Sequence, residues 1–141
     1  MADLESKILA RELGRLGGGW GGRLGARWAA LRLPSVEHEL RFVLNTSAEV
    51  ATRKIGDFMN EFGSPIPEYP SNAAAGMFSS VVGSGHLNLN PTILNVQIQT
   101  VPKGTGVTVR AVAKEGTIKQ HSAQKLAERI EQLLAAERSE N

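Results

Sequence analysis

Two kinds of hydrophobic spacing divide the last third of this chain. From Thr92 to Lys114 apolar and polar residues alternate: Leu94, Val96 and Ile98 interleave with Asn95, Gln97 and Gln99, then Val107, Val109, Ala111 and Ala113 with Thr108, Arg110 and Lys114. A period of two sends alternate side chains to opposite faces of a strand. Pro102-Lys103-Gly104-Thr105-Gly106 between the runs has the composition of a hairpin turn. From Ser122 to Leu134 the spacing lengthens to i, i+3, i+4, i+7 through Ala123, Leu126, Ala127, Ile130, Leu133 and Leu134, which is the stripe of a helix. The pattern predicts an antiparallel hairpin with a helix laid across it.

The same reading extends upstream. Val36, His38, Leu40, Phe42 and Leu44 alternate with Glu37, Glu39, Arg41 and Val43, a half-buried strand. Ala48, Ala51, Ile55, Phe58, Met59 and Phe62 then form a helical stripe. Thr46 or Ser47 is placed to accept from the unpaired first-turn amides, and Thr46 with Glu49 fits a reciprocal capping box. Gly63 suits a left-handed residue that closes the helix. Pro65, Pro67 and Pro70 make Ser64 to Ala75 a loop, and Gly76 to Val82 is a strand turned by Gly83-Ser84-Gly85. His86 to Asn90 adds a short optional strand.

The order is β-α-β-(β)-β-β-α, an α+β class with an antiparallel sheet of four or five strands and the C-terminal helix packed across one face. Each strand has one strongly apolar side, so both helices should cross the same face. The outer face, with Arg41, Asn95, Gln97, Gln99, Thr108, Arg110 and Lys114, should be wet or should contact a partner. This order resembles the layout of helix-grip and TATA-binding-like folds, which implies a curved sheet gripping the last helix.

Residues 1–34 read differently. Leu4, Ile8, Leu9 and Leu16 have helical spacing over 3–16, with Asp3 as a possible N-cap and Gly17-Gly18-Gly19 as the stop. The stretch from Gly17 to Gly25 is too rich in glycine for regular structure, since each glycine costs about 0.8–1 kcal/mol relative to alanine in a helix. Ala26 to Leu33 can form two more turns before Pro34. The division is a basic N-terminal arm over 1–34, partly helical or flexible, and a single domain over 35–141.

Charge supports that division. Lys7, Arg11, Arg15, Arg23, Arg27 and Arg32 face only Asp3, Glu5 and Glu12 in the arm, while the remainder is close to balanced. Trp20 and Trp28 among Arg23 and Arg27 form a candidate surface-seeking element. Indole and guanidinium together suit an anionic lipid interface. They also suit single-stranded nucleic acid, though so small a net charge attracts anions weakly and nucleic acid is not favoured.

Other features mostly exclude. At 141 residues there is room for one domain and an appendage, and no cysteine exists for disulfides or thiolate sites. No apolar run reaches the roughly 18 residues of a membrane span, and Lys7, Arg11 and Glu12 interrupt any secretory core, so a cytoplasmic location is expected. His38, His86 and His121 sit in separate elements without partners at metal-ligand spacing. Gly83-Ser84-Gly85-His86 lacks the spacing of a nucleophile elbow, and the glycines near residue 17 lack the lysine and hydroxyl of a phosphate loop. Lys114, Lys119, Lys125 and Arg129 form a loose basic group balanced by Glu115 and Glu128.

The expectation is a small non-catalytic binding or accessory domain with no cofactor and no metal. It would hold an apolar ligand between sheet and C-terminal helix, or meet a protein partner by the outer sheet face. The alternative is a peripheral adaptor for anionic membranes recruited by the arm, and an enzyme ranks third. The candidate contact residues are Trp20, Arg23, Arg27, Trp28, Asn95, Gln97, Arg110 and Lys114.

Overall fold

Five antiparallel strands and three α-helices, with a 3-10 turn at Ala73–Ala75, make up the described residues, 2–15, 34–84, 90–114 and 121–139, of a computed structural model. In chain order these are α1 (Ala2–Arg15), β1 (Ser35–Leu44), α2 (Ala48–Phe62), β2 (Gly63–Ser64), β3 (Met77–Ser84), β4 (Asn90–Val101), β5 (Gly104–Lys114) and α3 (Ser122–Ser139). The sheet runs β1-β5-β4-β3-β2. The register is continuous along β4 and β5, from Thr92 opposite Ala113 to Val101 opposite Gly104. The α+β class, the antiparallel sheet and the C-terminal helix against it are as the alternation predicts. His86 to Leu89, the expected optional strand, lies outside the described residues.

Alternation sorts the side chains. Leu94, Val96 and Ile98 of β4 lie opposite Ala111, Val109 and Val107 of β5, and all six are buried on the inner face. Against them pack Ala51, Ile55, Phe58 and Met59 of α2 and Ala123, Leu126, Ala127, Ile130 and Leu134 of α3. Both helices therefore cross one face. Each fully buried aliphatic side chain there contributes about 1.5–3 kcal/mol.

Local details refine the sequence reading. Ser47, not Thr46, caps α2: its Oγ accepts from the Val50 amide at 3.2 Å. The Thr46–Glu49 box does not form, because with Ser47 as cap the reciprocal position falls to Val50. Gly63 is extended (φ −106°, ψ 159°) and opens β2 rather than turning left-handed. Its need for glycine is steric, since a Cβ there would lie 2.1 Å from Ser80 Oγ. Phe62 is not core: it is largely exposed, with the Arg129 guanidinium 4.7 Å from its ring centroid. Helix α1 begins at Ala2, so Asp3 falls inside the helix rather than at its cap.

The larger surprise is where α1 goes. Ile8 and Leu9 are buried against Ile66, Val81, Ile93 and Val112, on the outer face of the sheet. The first part of the arm read over 1–34 is thus helical and packs on the sheet over residues 2–15. Trp20, Arg23, Arg27 and Trp28 lie outside the described residues. No helix among the described residues is long and apolar enough to cross a membrane.

Candidate functional site

The outer face of the sheet is built from the alternate residues of four strands. Met77, Ser79 and Val81 of β3, Ile93, Asn95 and Gln97 of β4, Thr108, Arg110 and Val112 of β5, and Glu37 and Glu39 of β1 share it by register. Its apolar part, Val81, Ile93 and Val112, is covered by α1. Its polar part is not. There the side of α1 near Leu4, the Pro-rich segment at Tyr69 and Pro70, and the strands enclose a groove of about 590 Å³. Asn95, Gln97, Thr108 and Ser79 line it from the sheet, and Met77, which is 53% exposed, lines it from β3.

Ionic contacts fasten α1 beside this groove. Arg110 donates to both Glu5 oxygens, at 2.5 and 2.9 Å, and also to Glu37 at 2.8 Å. Glu5 is only 2% exposed, so the bidentate geometry is what makes its burial tolerable. The two carboxylates hold the Arg110 guanidinium firmly protonated, and Arg110 in turn holds the Glu37 carboxyl below its usual range. Farther along α1, Arg11 pairs with Glu68 at 2.5 Å, which lowers the Glu68 carboxyl in the same way. Lys114 Nζ donates to Ser6 Oγ, and burial lowers the Lys114 ammonium.

Tyr69 closes one wall. Its hydroxyl is buried and makes no hydrogen bond among the described residues. That burial, with the nearby Glu5 charge, pushes its ionisation up to about 12. The groove is polar underfoot and apolar at its walls, and two carboxylates, Glu39 and Glu68, line it beside the Arg110 guanidinium, which Glu5 and Glu37 already neutralise. Such a charge balance disfavours anionic ligands. Side-chain amides such as Gln97 offer both donors and an acceptor to whatever enters.

Of the candidates read from the sequence, Asn95, Gln97 and Arg110 come together in the groove. Asn95 Oδ1 accepts from Ser79 Oγ at 2.7 Å, which fixes its amide. Lys114 is not a surface contact residue: it is 4% exposed and lies beneath α1. The crevice expected between sheet and C-terminal helix is filled by Leu126, Ile130 and Leu134 from α3 packed on the inner face. The sequence reading placed Leu4 and Glu5 only in the arm, and did not single out Tyr69 or Met77. Tyr69 carried one signal, being the single tyrosine in a proline-rich loop, but Glu5 lies 105 positions from Arg110 and no periodicity connects them.

Among the described residues no group of three histidine, aspartate or glutamate side chains is arranged to hold a metal ion. No protein-family model matches this sequence, and no curated protein or solved structure matches it significantly.

Proposed function

We propose that the protein is a small non-catalytic binding domain whose outer-face groove takes an amphipathic segment of a protein partner or a small amphipathic molecule without negative charge. The observation that carries this reading is the groove itself. It combines an exposed methionine with a patch of side-chain amides and hydroxyls, while α1 covers the purely apolar part of the same face. A mostly apolar pocket with a few fixed polar groups is the usual form of a ligand site. Met77 is adaptable in shape and suits a surface that accepts varied apolar groups. The lining carboxylates Glu39 and Glu68, together with an Arg110 already neutralised by Glu5 and Glu37, set the charge preference.

Backbone amide resonances of the labelled full chain, titrated with a set of neutral, cationic and anionic amphipathic fragments, test the reading. Neutral or cationic fragments should shift Met77, Asn95, Gln97 and Thr108, and Met77→Glu/Gln97→Arg should abolish those shifts without lowering the melting temperature. Perturbations confined to other surfaces, or a preference for anionic fragments, would remove the groove as the binding site. Sedimentation with anionic vesicles separates the adaptor alternative, which rests on the arm over 1–34 with Trp20 and Trp28 and not on the groove.

A further inference from the structure

The two edges of the sheet are treated differently. Beyond β3, the short strand β2 pairs Gly63 with Val82 and Ser64 with Val81. Farther along the same edge, Ser71 Oγ accepts from the Ser79 amide at 2.8 Å and donates to its carbonyl at 3.0 Å. Asn72 exchanges backbone hydrogen bonds with Met77. That edge is closed residue by residue. At the other end of the sheet, β1 pairs with β5 over ten residues without a bulge, from Ser35 opposite Lys114 to Leu44 opposite Thr105. Among the described residues, no strand lies beyond β1.

An edge of this length normally carries a protective feature: a proline, a lysine, a bulge or an inward charge. Ser35 to Leu44 contains no proline or lysine, and its charged side chains, Glu37, Glu39 and Arg41, all lie on the outer face and include both signs. Its inner-face residues are also underburied. Leu40 and Phe42 are only half-buried, while their neighbours across the ladder, Val109 and Val107, are fully buried. Val36 is 38% exposed. Among the described residues these side chains have a strand neighbour on one side and none on the other.

We infer that β1 is a self-association surface: a second copy of this chain pairs with it antiparallel, about a two-fold axis at Leu40, joining two five-stranded sheets into one. Charge selects this register. Glu39 and Arg41 flank Leu40 on the outer face; they lie 3.5 Å apart within the strand, and their side chains, 39% and 75% exposed, can exchange this exposed pair for one across the axis. With the axis at Leu40, Glu39 of each copy lies opposite Arg41 of the other, and inside, Leu40 meets its own counterpart while Phe42 meets His38. Moving the axis to position 39 sets Glu39 against Glu39 and offers Arg41 only Glu37, which Arg110 already holds, while moving it to 41 sets Arg41 against Arg41. Directly opposed like charges destabilise a strand pair and opposed unlike charges support it. Inner face stays with inner face in this register, so the half-buried Leu40 and Phe42 gain the missing contacts. The arrangement is isologous, as a two-fold dimer requires.

Light scattering coupled to size exclusion, on the full chain over a range of concentrations, reads the result directly. The wild-type protein should reach twice the chain mass of 15.1 kDa. Glu39→Arg and Arg41→Glu alter exposed side chains, so each should keep the wild-type fold by far-ultraviolet circular dichroism, with any fall in melting temperature confined to the lost association. Each places like charges opposite one another, so the dimer should weaken by about tenfold or more, a shift of about 1.4 kcal/mol. Mixing the two variants restores both opposite-charge pairs in a heterodimer and should restore the doubled mass. A wild-type chain that stays monomeric at every concentration overturns the proposal. So does a dimer indifferent to Arg41→Glu, or a mixture that fails to recover.

Discussion

The two faces of one sheet are covered by different means. On the inner face, α2 and α3 lay aliphatic side chains on Leu94, Val96, Ile98, Val107, Val109 and Ala111, in a continuous core with little polar content. On the outer face, α1 covers a smaller patch, Val81, Ile93 and Val112, and is fastened by charges: Glu5 to Arg110, Arg11 to Glu68, Lys114 to Ser6. The inner layer is held by many interchangeable dispersion contacts, which sum and tolerate small changes. The outer layer depends on a few directional contacts, each of which matters by itself. The groove exists because the outer layer is incomplete.

The strongest way to break the comparison is through the inner layer. Ile130 is fully buried on α3, and Ile130→Asp adds an unpaired carboxylate to the loss of about 1.5–3 kcal/mol of burial. We expect no cooperative thermal transition by far-ultraviolet circular dichroism. A variant melting near the wild type would mean that the inner helix is dispensable.

Removing the outer layer should do less. A shortened chain of residues 35–141 loses the cover over Val81, Ile93 and Val112 but keeps the whole inner core. It should still melt cooperatively, at a lower temperature, and should bind a hydrophobic dye that the full chain does not. Non-cooperative melting would place α1 on the same footing as α2 and α3.

Arg110→Ala sharpens the point at a single contact. It leaves Glu5 buried without its cation, a change worth about 3 kcal/mol when a partner cannot move away. Here α1 can detach, so the loss cannot exceed the free energy of its docking. We expect destabilisation no larger than that of the shortened chain, partial recovery in Glu5→Ala/Arg110→Ala, and faster proteolysis within residues 2–15. Equal damage in the single and double variants would show that the pair does not act as a unit.

The smallest effect concerns Tyr69. As the single tyrosine of the chain, it can be followed by tyrosinate absorbance, with a midpoint near 12 rather than about 10. The raised ionisation means that the unfolded state releases its proton first. This contribution to stability is therefore present below pH 10 and is lost as pH rises from 10 to 12. A midpoint near 10 would mean that the wall beside α1 is open to water.

Much of the fold was legible because its signals are local. Alternation along β1, β4 and β5 and the stripes of α2 and α3 each need only a few neighbouring residues to be read. Turn chemistry was less secure: Gly63 looked like a helix-closing residue, and only the approach of Ser80 reveals why a glycine stands there. In the groove, Asn95, Gln97 and Arg110 could be assigned to one polar face because they keep the period of their strands. What lies across from them could not.

The amino-acid sequence by itself determined the element order, the apolar face of each strand and the helices that cover the inner side, because periodicity is written residue by residue. Only the tertiary structure decided that residues 2–15 return to the opposite face. It also decided that Glu5 and Ser6 reach Arg110 and Lys114, and that a groove remains beside them. The helix at 2–15 has two large buried residues and a spacing that would serve equally on an exposed arm. Its position rests on polar contacts between residues 57 to 108 positions apart, and such pairing leaves no period in the chain.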